Sequence, residues 1–144
     1  MIQHEHSVII NRSVEDVFSF VADHFFENQP KWAPDVEESH QTSPGPVGVG
    51  AKGQLVRVVN GAPTDSEVTI TEYEPNKKFA FASTGPMNAE GQYAFSAVDG
   101  GTKLDLMVHM PTDGVLPLMV PMINRVVQAN VQTGMETIKT MLDT

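Results

Sequence analysis

The fold is limited first by a long apolar segment near the end of the chain, residues 114–142, that no strand-like run follows. In its second half, apolar residues recur at helical spacing with polar residues between them, as in a helix that packs one face on a core. In its first half, apolar residues cover more than one narrow stripe and include Met119 and Met122. Methionine is flexible and polarizable, so this half suits the wall of an adaptable cavity, although periodicity alone fits a plain core helix equally well.

Strand-like runs fill most of the chain before this helix. They cover residues 4–11, 36–42, 51–60, 66–73, 78–83, 90–98 and 102–110. Between the first two runs, Ser13 predicts the N-cap of a short helix, and Pro30 predicts the end of a second short helical turn. Turns such as Asp99-Gly100-Gly101 separate the later runs, which indicates an antiparallel meander. The predicted class is α+β, with one long helix closing over an antiparallel sheet.

The charge of the chain excludes several partners. Nine basic residues face 18 acidic ones, for a net charge of −9, and the basic residues are scattered singly except Lys77-Lys78. Nucleic acid and anionic membrane surfaces both require a clustered basic face, so neither is an expected partner. The chain has no cysteine, which excludes disulfides and thiolate chemistry. It shows neither a secretory signal nor a membrane span, so we expect a cytoplasmic protein.

A string of three glycines, Gly48-x-Gly50-x-x-Gly53, matches the dinucleotide-binding fingerprint as letters. That fingerprint requires a strand before it and a helix after it, so that phosphates meet a helix N-terminus. Here Pro44-Gly45-Pro46 precedes the string and a strand follows it. We therefore predict that these glycines permit positive backbone angles or a strand bend.

Histidines offer the next candidate chemistry. His4 and His6 would share one face of a strand, but no third metal ligand has a suitable spacing, so no metal is expected and the pair is interpreted as solvated. In the last strand, alternation directs His109 away from Leu104 and Leu106, unless a bulge reverses it and makes His109 a cavity acid or base.

Arg57 and Tyr93 are the other polar candidates. If Leu55 faces inward, Arg57 shares its side and would anchor a carboxylate or carbonyl inside an oily cavity. The opposite parity places Val56 and Val58 inside and Arg57 in water, and the pattern leans slightly toward that choice. Tyr93 would add a hydroxyl that orients a polar ligand end. No nucleophile motif is present, so catalytic residues cannot be assigned from the sequence.

Five segments carry a family resemblance: RSVEDVF at 12–18, WAPDV at 32–36, GVG at 48–50, VTITEYEPNKKF at 68–79 and DGGTKL at 99–104. In this order and spacing they resemble the SRPBCC superfamily of START-like and birch-pollen-allergen-like proteins, particularly its polyketide cyclase/dehydrase branch. The resemblance implies one domain over residues 1–144. It also implies a helix-grip fold, in which a curved sheet wraps round the long helix and leaves a hydrophobic cavity. It implies no single activity.

The resulting hypothesis is a protein that binds a small hydrophobic ligand, such as a lipid, an aromatic or a polyketide-like molecule, between the sheet and the long helix. The alternative is a cyclase or dehydratase acting on a polyketide-like or aromatic substrate. No cofactor is expected, and the oligomeric state, including a homodimer, is left open. The expected cavity lining is Trp32, Phe79, Phe81, Tyr93, Phe95, Leu106, Val108, Met119, Met122, Ile123 and Val126.

The start of the long helix generates a prediction of its own. Pro117 and Pro121 remove two backbone donors and Gly114 loosens the chain, so residues 111–122 should form a mobile gate with Leu116, Met119 and Met122 on its inner surface. Hydrogen exchange should be fast in this segment without ligand and should slow on ligand binding. If its amides are protected as strongly as those of residues 126–138 in the free protein, the gate is wrong.

Overall fold

The computed structural model describes residues 1–59, 61–85 and 88–143, and it shows a seven-stranded antiparallel sheet crossed by one long helix. The spatial order of the strands is β1-β7-β6-β5-β4-β3-β2. Two predicted boundaries lie outside the described residues. They are Asn60, the end of the third predicted strand, and Thr144, the end of the expected domain. The strands are β1 (Ile2–Ile10), β2 (Val36–Gln41), β3 (Lys52–Val59), β4 (Ala62–Glu74), β5 (Lys78–Thr84), β6 (Ala89–Val98) and β7 (Gly101–Met110). The α+β helix-grip prediction is confirmed.

Two short helices follow β1. α1 (Val14–Phe18) begins at the predicted cap, where the Ser13 hydroxyl accepts a hydrogen bond from the Asp16 backbone N–H at 3.2 Å, and it continues into a π-helical turn. α2 spans Phe25–Trp32. The prediction that Pro30 ends this helix is wrong, because Pro30 lies inside it. Burial of Phe25, Phe26 and Trp32 holds the helix against the core despite the lost backbone donor.

The long helix, α3 (Val120–Leu142), has two different halves. Its buried residues are Val131, Gly134, Met135, Ile138 and Leu142, all in the second half. This half therefore supplies the core face that the spacing predicts.

The prolines set where α3 starts. Pro117 opens a separate 3-10 turn, and Pro121 lies in the first turn of α3, where a missing N–H leaves no hydrogen bond unmade. The prolines thus delay the regular helix to Val120 rather than kinking it. None of the described helices is long and apolar enough to span a membrane.

The core is an aromatic cluster between the concave face of the sheet and the two short helices. The Phe25 ring lies 5.1 Å from Phe79 and 5.3 Å from Phe81, measured between ring centroids. The Phe18 ring meets Phe95 edge-on at 4.9 Å. These contacts fill the space under α1 and α2, so that end of the sheet is solidly packed.

Of the three glycines in the string, Gly50 shows the predicted positive backbone angle, whereas Gly53 is required for a different reason. Gly50 adopts φ +90°, a conformation that L side chains rarely take. Gly53 lies under the Phe26 ring, and a methyl group there would overlap the ring and approach the His40 carbonyl oxygen to 2.7 Å. Gly48 has open space around it and no positive φ.

The two outer glycines of the string give a matched pair of substitutions. Gly53→Ala should lower the free energy of unfolding by about 1–3 kcal/mol, because the new methyl group displaces both a ring and a backbone carbonyl. Gly48→Ala should change it by less than about 0.5 kcal/mol. Urea denaturation measures both, and equal effects at the two positions would contradict this account of the string.

Candidate functional site

A cavity of about 400 Å³ lies between the first half of α3, the concave face of the sheet and the end of α2. Its apolar wall combines strand residues with residues of α3. From the strands come Phe81, Leu106, Val108 and Met110, and from the helix and the turn before it come Met119, Met122, Ile123, Val126, Val127, Val131 and Met135. The first half of α3 is therefore apolar without being buried, since it covers a space rather than a packed core.

Nine of the eleven residues expected to line a cavity lie on its wall: Trp32, Phe81, Tyr93, Leu106, Val108, Met119, Met122, Ile123 and Val126. Phe79 and Phe95 do not, because they pack in the aromatic core against Phe25 and Phe18. Both side chains point to the concave face of the sheet, as strand alternation predicts. Alternation gives the face of the sheet, but it does not show which part of that face the short helices cover.

Wall residues near the start of α3 remain partly exposed. Met119 and Met122 reach the wall while remaining 36% and 38% exposed. Leu116, expected on the inner surface of a gate, is 71% exposed and lies off the wall. That expectation is corrected, because the chain at Leu116 is still extended and has not entered the helix.

Arg57 faces the cavity, so the slight preference for a solvated side chain was wrong. Leu55, two residues earlier on β3, is fully buried, and Arg57 shares its side. Arg57 Nη1 donates to Asp35 Oδ2 at 2.7 Å, and both side chains are only about one quarter exposed, at 22% and 24%. The Asp35 carbonyl also accepts the Val58 N–H at 2.8 Å, which fixes the turn before β2 against β3.

Tyr93 and Trp32 form a second polar contact on the same wall. Burial raises the pKa of Tyr93 well above its ordinary value, while a hydrogen bond from the Trp32 side chain and the charge of Arg57 act in the opposite direction. The Tyr93 hydroxyl therefore stays protonated at neutral pH. It can donate a hydrogen bond to a ligand without adding charge.

Gln29 contributes an amide that sequence reasoning missed. Its side chain is on the wall and 4% exposed, and its Oε1 atom has no hydrogen-bond partner among the described residues. An unsatisfied buried acceptor costs about 1–3 kcal/mol, so a donor that reached it would be favoured.

The remaining missed wall residues include both apolar and small polar side chains. Ser66 could have been found, because it alternates with the buried Val68 and Ile70 on β4. Asp35 and Gln29 could not have been found in this way. They lie in a turn and a short helix, where strand alternation does not predict the direction of a side chain.

The polar wall residues are concentrated toward one edge of the sheet. Asp35, Arg57, Thr64, Ser66 and Ser83 come from the turn before β2 and from β3, β4 and β5, where Val58 and Phe81 are apolar exceptions. The wall residues of β7, on the other side of β6, are apolar, and those of α3 are apolar except Asn130. The cavity is therefore more polar toward β2 than toward β7.

The histidines lie outside the cavity wall. His109 is on the outer face, where Nε2 lies 2.6 Å from Glu90 Oε2, so plain alternation holds and no bulge turns it inward. His4 and His6 are not simply solvated, because β1 pairs with β7 along its length and places them against α3. His4 Nε2 lies 2.8 Å from Asn124 Oδ1, and His6 Nε2 lies 3.1 Å from Glu136 Oε1. Within the described ranges, no three His or carboxylate side chains are grouped as a metal site.

The chain belongs to the family described as "Polyketide cyclase / dehydrase and lipid transport", whose model matches residues 1–143. This match confirms the SRPBCC resemblance. No curated protein sequence matches the chain significantly.

Solved structures share the fold at low sequence identity. A START superfamily protein from Mycobacterium smegmatis is 16% identical with a TM-score of 0.76, over 99% of this chain and 98% of that one. Ara h 8.0201 is 17% identical with a TM-score of 0.76, over 97% and 96%. The di-domain ARO/CYC BexL from the BE-7585A biosynthetic pathway is 20% identical with a TM-score of 0.74, and the match covers 97% of this chain but 46% of BexL. At these identities the likeness concerns the fold alone.

Proposed function

We propose that this protein binds a small hydrophobic molecule in the cavity under the first half of α3. The observation that carries the proposal is a mostly apolar wall on which a few polar groups converge, the usual composition of a small-molecule site. The family, which includes lipid transport in its description, supports the same conclusion.

The volume of the cavity and the residues on its wall limit the choice of ligand. Its volume is near the lower end of the range of about 300–1,000 Å³ that is typical of ligand pockets. The aromatic side chains Trp32, Phe81 and Tyr93 on the wall favour a compact ring system as the ligand. The apolar part of such a ligand would gain about 25 cal/mol for each Å² it buries against the β7 and α3 side. Its polar end would face Arg57, Tyr93 and Gln29.

A cyclase or dehydratase is the second candidate, and one observation favours it. Arg57 and Tyr93 lie on the same wall, so a cationic donor and a neutral proton donor could both act on a substrate carbonyl. The Asp35 carboxylate on this wall is already paired with Arg57. Recovery of an aromatic polyketide chemically unchanged after incubation favours a binder, whereas loss of water or ring closure that Tyr93→Phe abolishes favours an enzyme.

Filling the cavity should abolish ligand binding. In Ile123→Trp, a larger side chain enters the space from α3, so thermal shifts and native mass spectra against a panel of steroids, lipids and aromatic polyketides should lose the complexes that the native protein forms. Gln128→Trp is the matched control, because Gln128 is on the same helix but exposed and off the wall.

Two results would contradict the proposal. One is that no member of the panel binds the native protein. The other is that Ile123→Trp and Gln128→Trp, both folded by circular dichroism, bind the same ligands equally well.

A further inference from the structure

Few charges lie on the cavity wall. Among the described wall residues, the acidic and basic side chains are those of Asp35, Arg57 and Glu90. Glu90 directs its carboxylate to His109 on the outer face and is 63% exposed there. The charged groups that face a ligand are therefore Asp35 and Arg57, and their opposite charges cancel.

The pairing changes what Arg57 can recognise. An unpaired arginine in an oily cavity would attract a carboxylate. Here Asp35 Oδ2 already lies 2.7 Å from Arg57 Nη1, and the pair is three-quarters buried. A ligand carboxylate would give up its hydration and would also be placed beside a second carboxylate, with one cation to share between them.

The other polar groups on this wall are neutral. Tyr93 and Trp32 supply a hydroxyl and an indole, Ser66 and Ser83 supply hydroxyls, and Gln29 supplies an amide. A guanidinium has about five N–H donors, and the hydrogen bond to Asp35 uses one of them, so a neutral acceptor can still be bound. Gln29 Oε1, which has no partner within the described part of the chain, needs a donor.

Resting on the proposed function, we infer that the cavity selects an uncharged ring compound that bears a hydroxyl, in preference to a carboxylate of the same size. The carbonyl or hydroxyl oxygen of such a ligand accepts from the Arg57 and Tyr93 side. Its hydroxyl hydrogen is a donor suited to Gln29. The Asp35–Arg57 pair stays intact and excludes anions.

Three naphthalenes of similar size test this selection by isothermal titration calorimetry at neutral pH. 2-Naphthol is neutral with a donor and an acceptor, 2-acetylnaphthalene is neutral with an acceptor only, and 2-naphthoate is an anion. We expect the native protein to bind 2-naphthol most tightly, 2-acetylnaphthalene next and 2-naphthoate most weakly.

Asp35→Asn then removes one charge while keeping the shape of the side chain. The Arg57 charge is left uncompensated, so the affinity for 2-naphthoate should rise by about tenfold or more while that for 2-naphthol changes little. Glu37→Gln is the matched control, because it removes the same charge from an exposed position on β2 that is off the wall, and it should change neither affinity. Arg57→Gln should bind 2-naphthoate even more weakly than the native protein does.

The outcomes separate the two proposals. Tighter binding of 2-naphthoate than 2-naphthol by the native protein overturns the selection and leaves the binding function standing. The selection is also overturned if Asp35→Asn raises the affinity for 2-naphthoate no more than Glu37→Gln does. Binding of none of the three probes overturns the selection and counts against the binding function as well. Melting temperatures of each variant establish that the comparison is made between folded proteins.

Discussion

The packing of the second half of α3 against the core holds in place the helix whose first half covers the cavity. Met135 and Ile138 are almost completely buried, and they anchor the helix over the sheet. The first half belongs to the same continuous helix, which has no proline after Pro121, so the anchor also positions this half over the sheet. The sheet curves away beneath it, and the short helices fill only the far end of the concave face. The cavity is the space that remains, and its oily upper wall is stabilised by an anchor elsewhere on the same helix.

Placing an ion pair in such a cavity has an energetic consequence. Asp35 and Arg57 are held by backbone as well as by charge, because the Asp35 carbonyl is bonded to Val58 of β3. A pair held in this way needs no ligand to neutralise it. The polar end of the cavity is therefore ready to form hydrogen bonds but not to bind an ion. In this respect the protein differs from one that binds a ligand through the carboxylate of the ligand.

Much of this architecture was predictable from the sequence, and the failures have physical reasons. Strand alternation and the spacing in α3 gave the sheet, the anchor and most of the apolar wall. Phe79 and Phe95 were misplaced because parity does not show what covers a face. Arg57 was misjudged because its partner, Asp35, lies in a turn 22 residues earlier in the chain, a long-range contact that no local pattern contains. Pro30 was misread because tertiary packing of α2 outweighed one lost hydrogen bond.

Methionine methyl NMR can establish whether a ligand lies under the first half of α3. Met110, Met119, Met122 and Met135 line the cavity, whereas Met107 and Met141 do not. On titration with 2-naphthol, the methyl resonances of the first four should shift saturably and together, and those of Met107 and Met141 should stay in place. Shifts confined to Met107 or Met141, or equal shifts at all six, would show that the ligand binds elsewhere and would contradict the account.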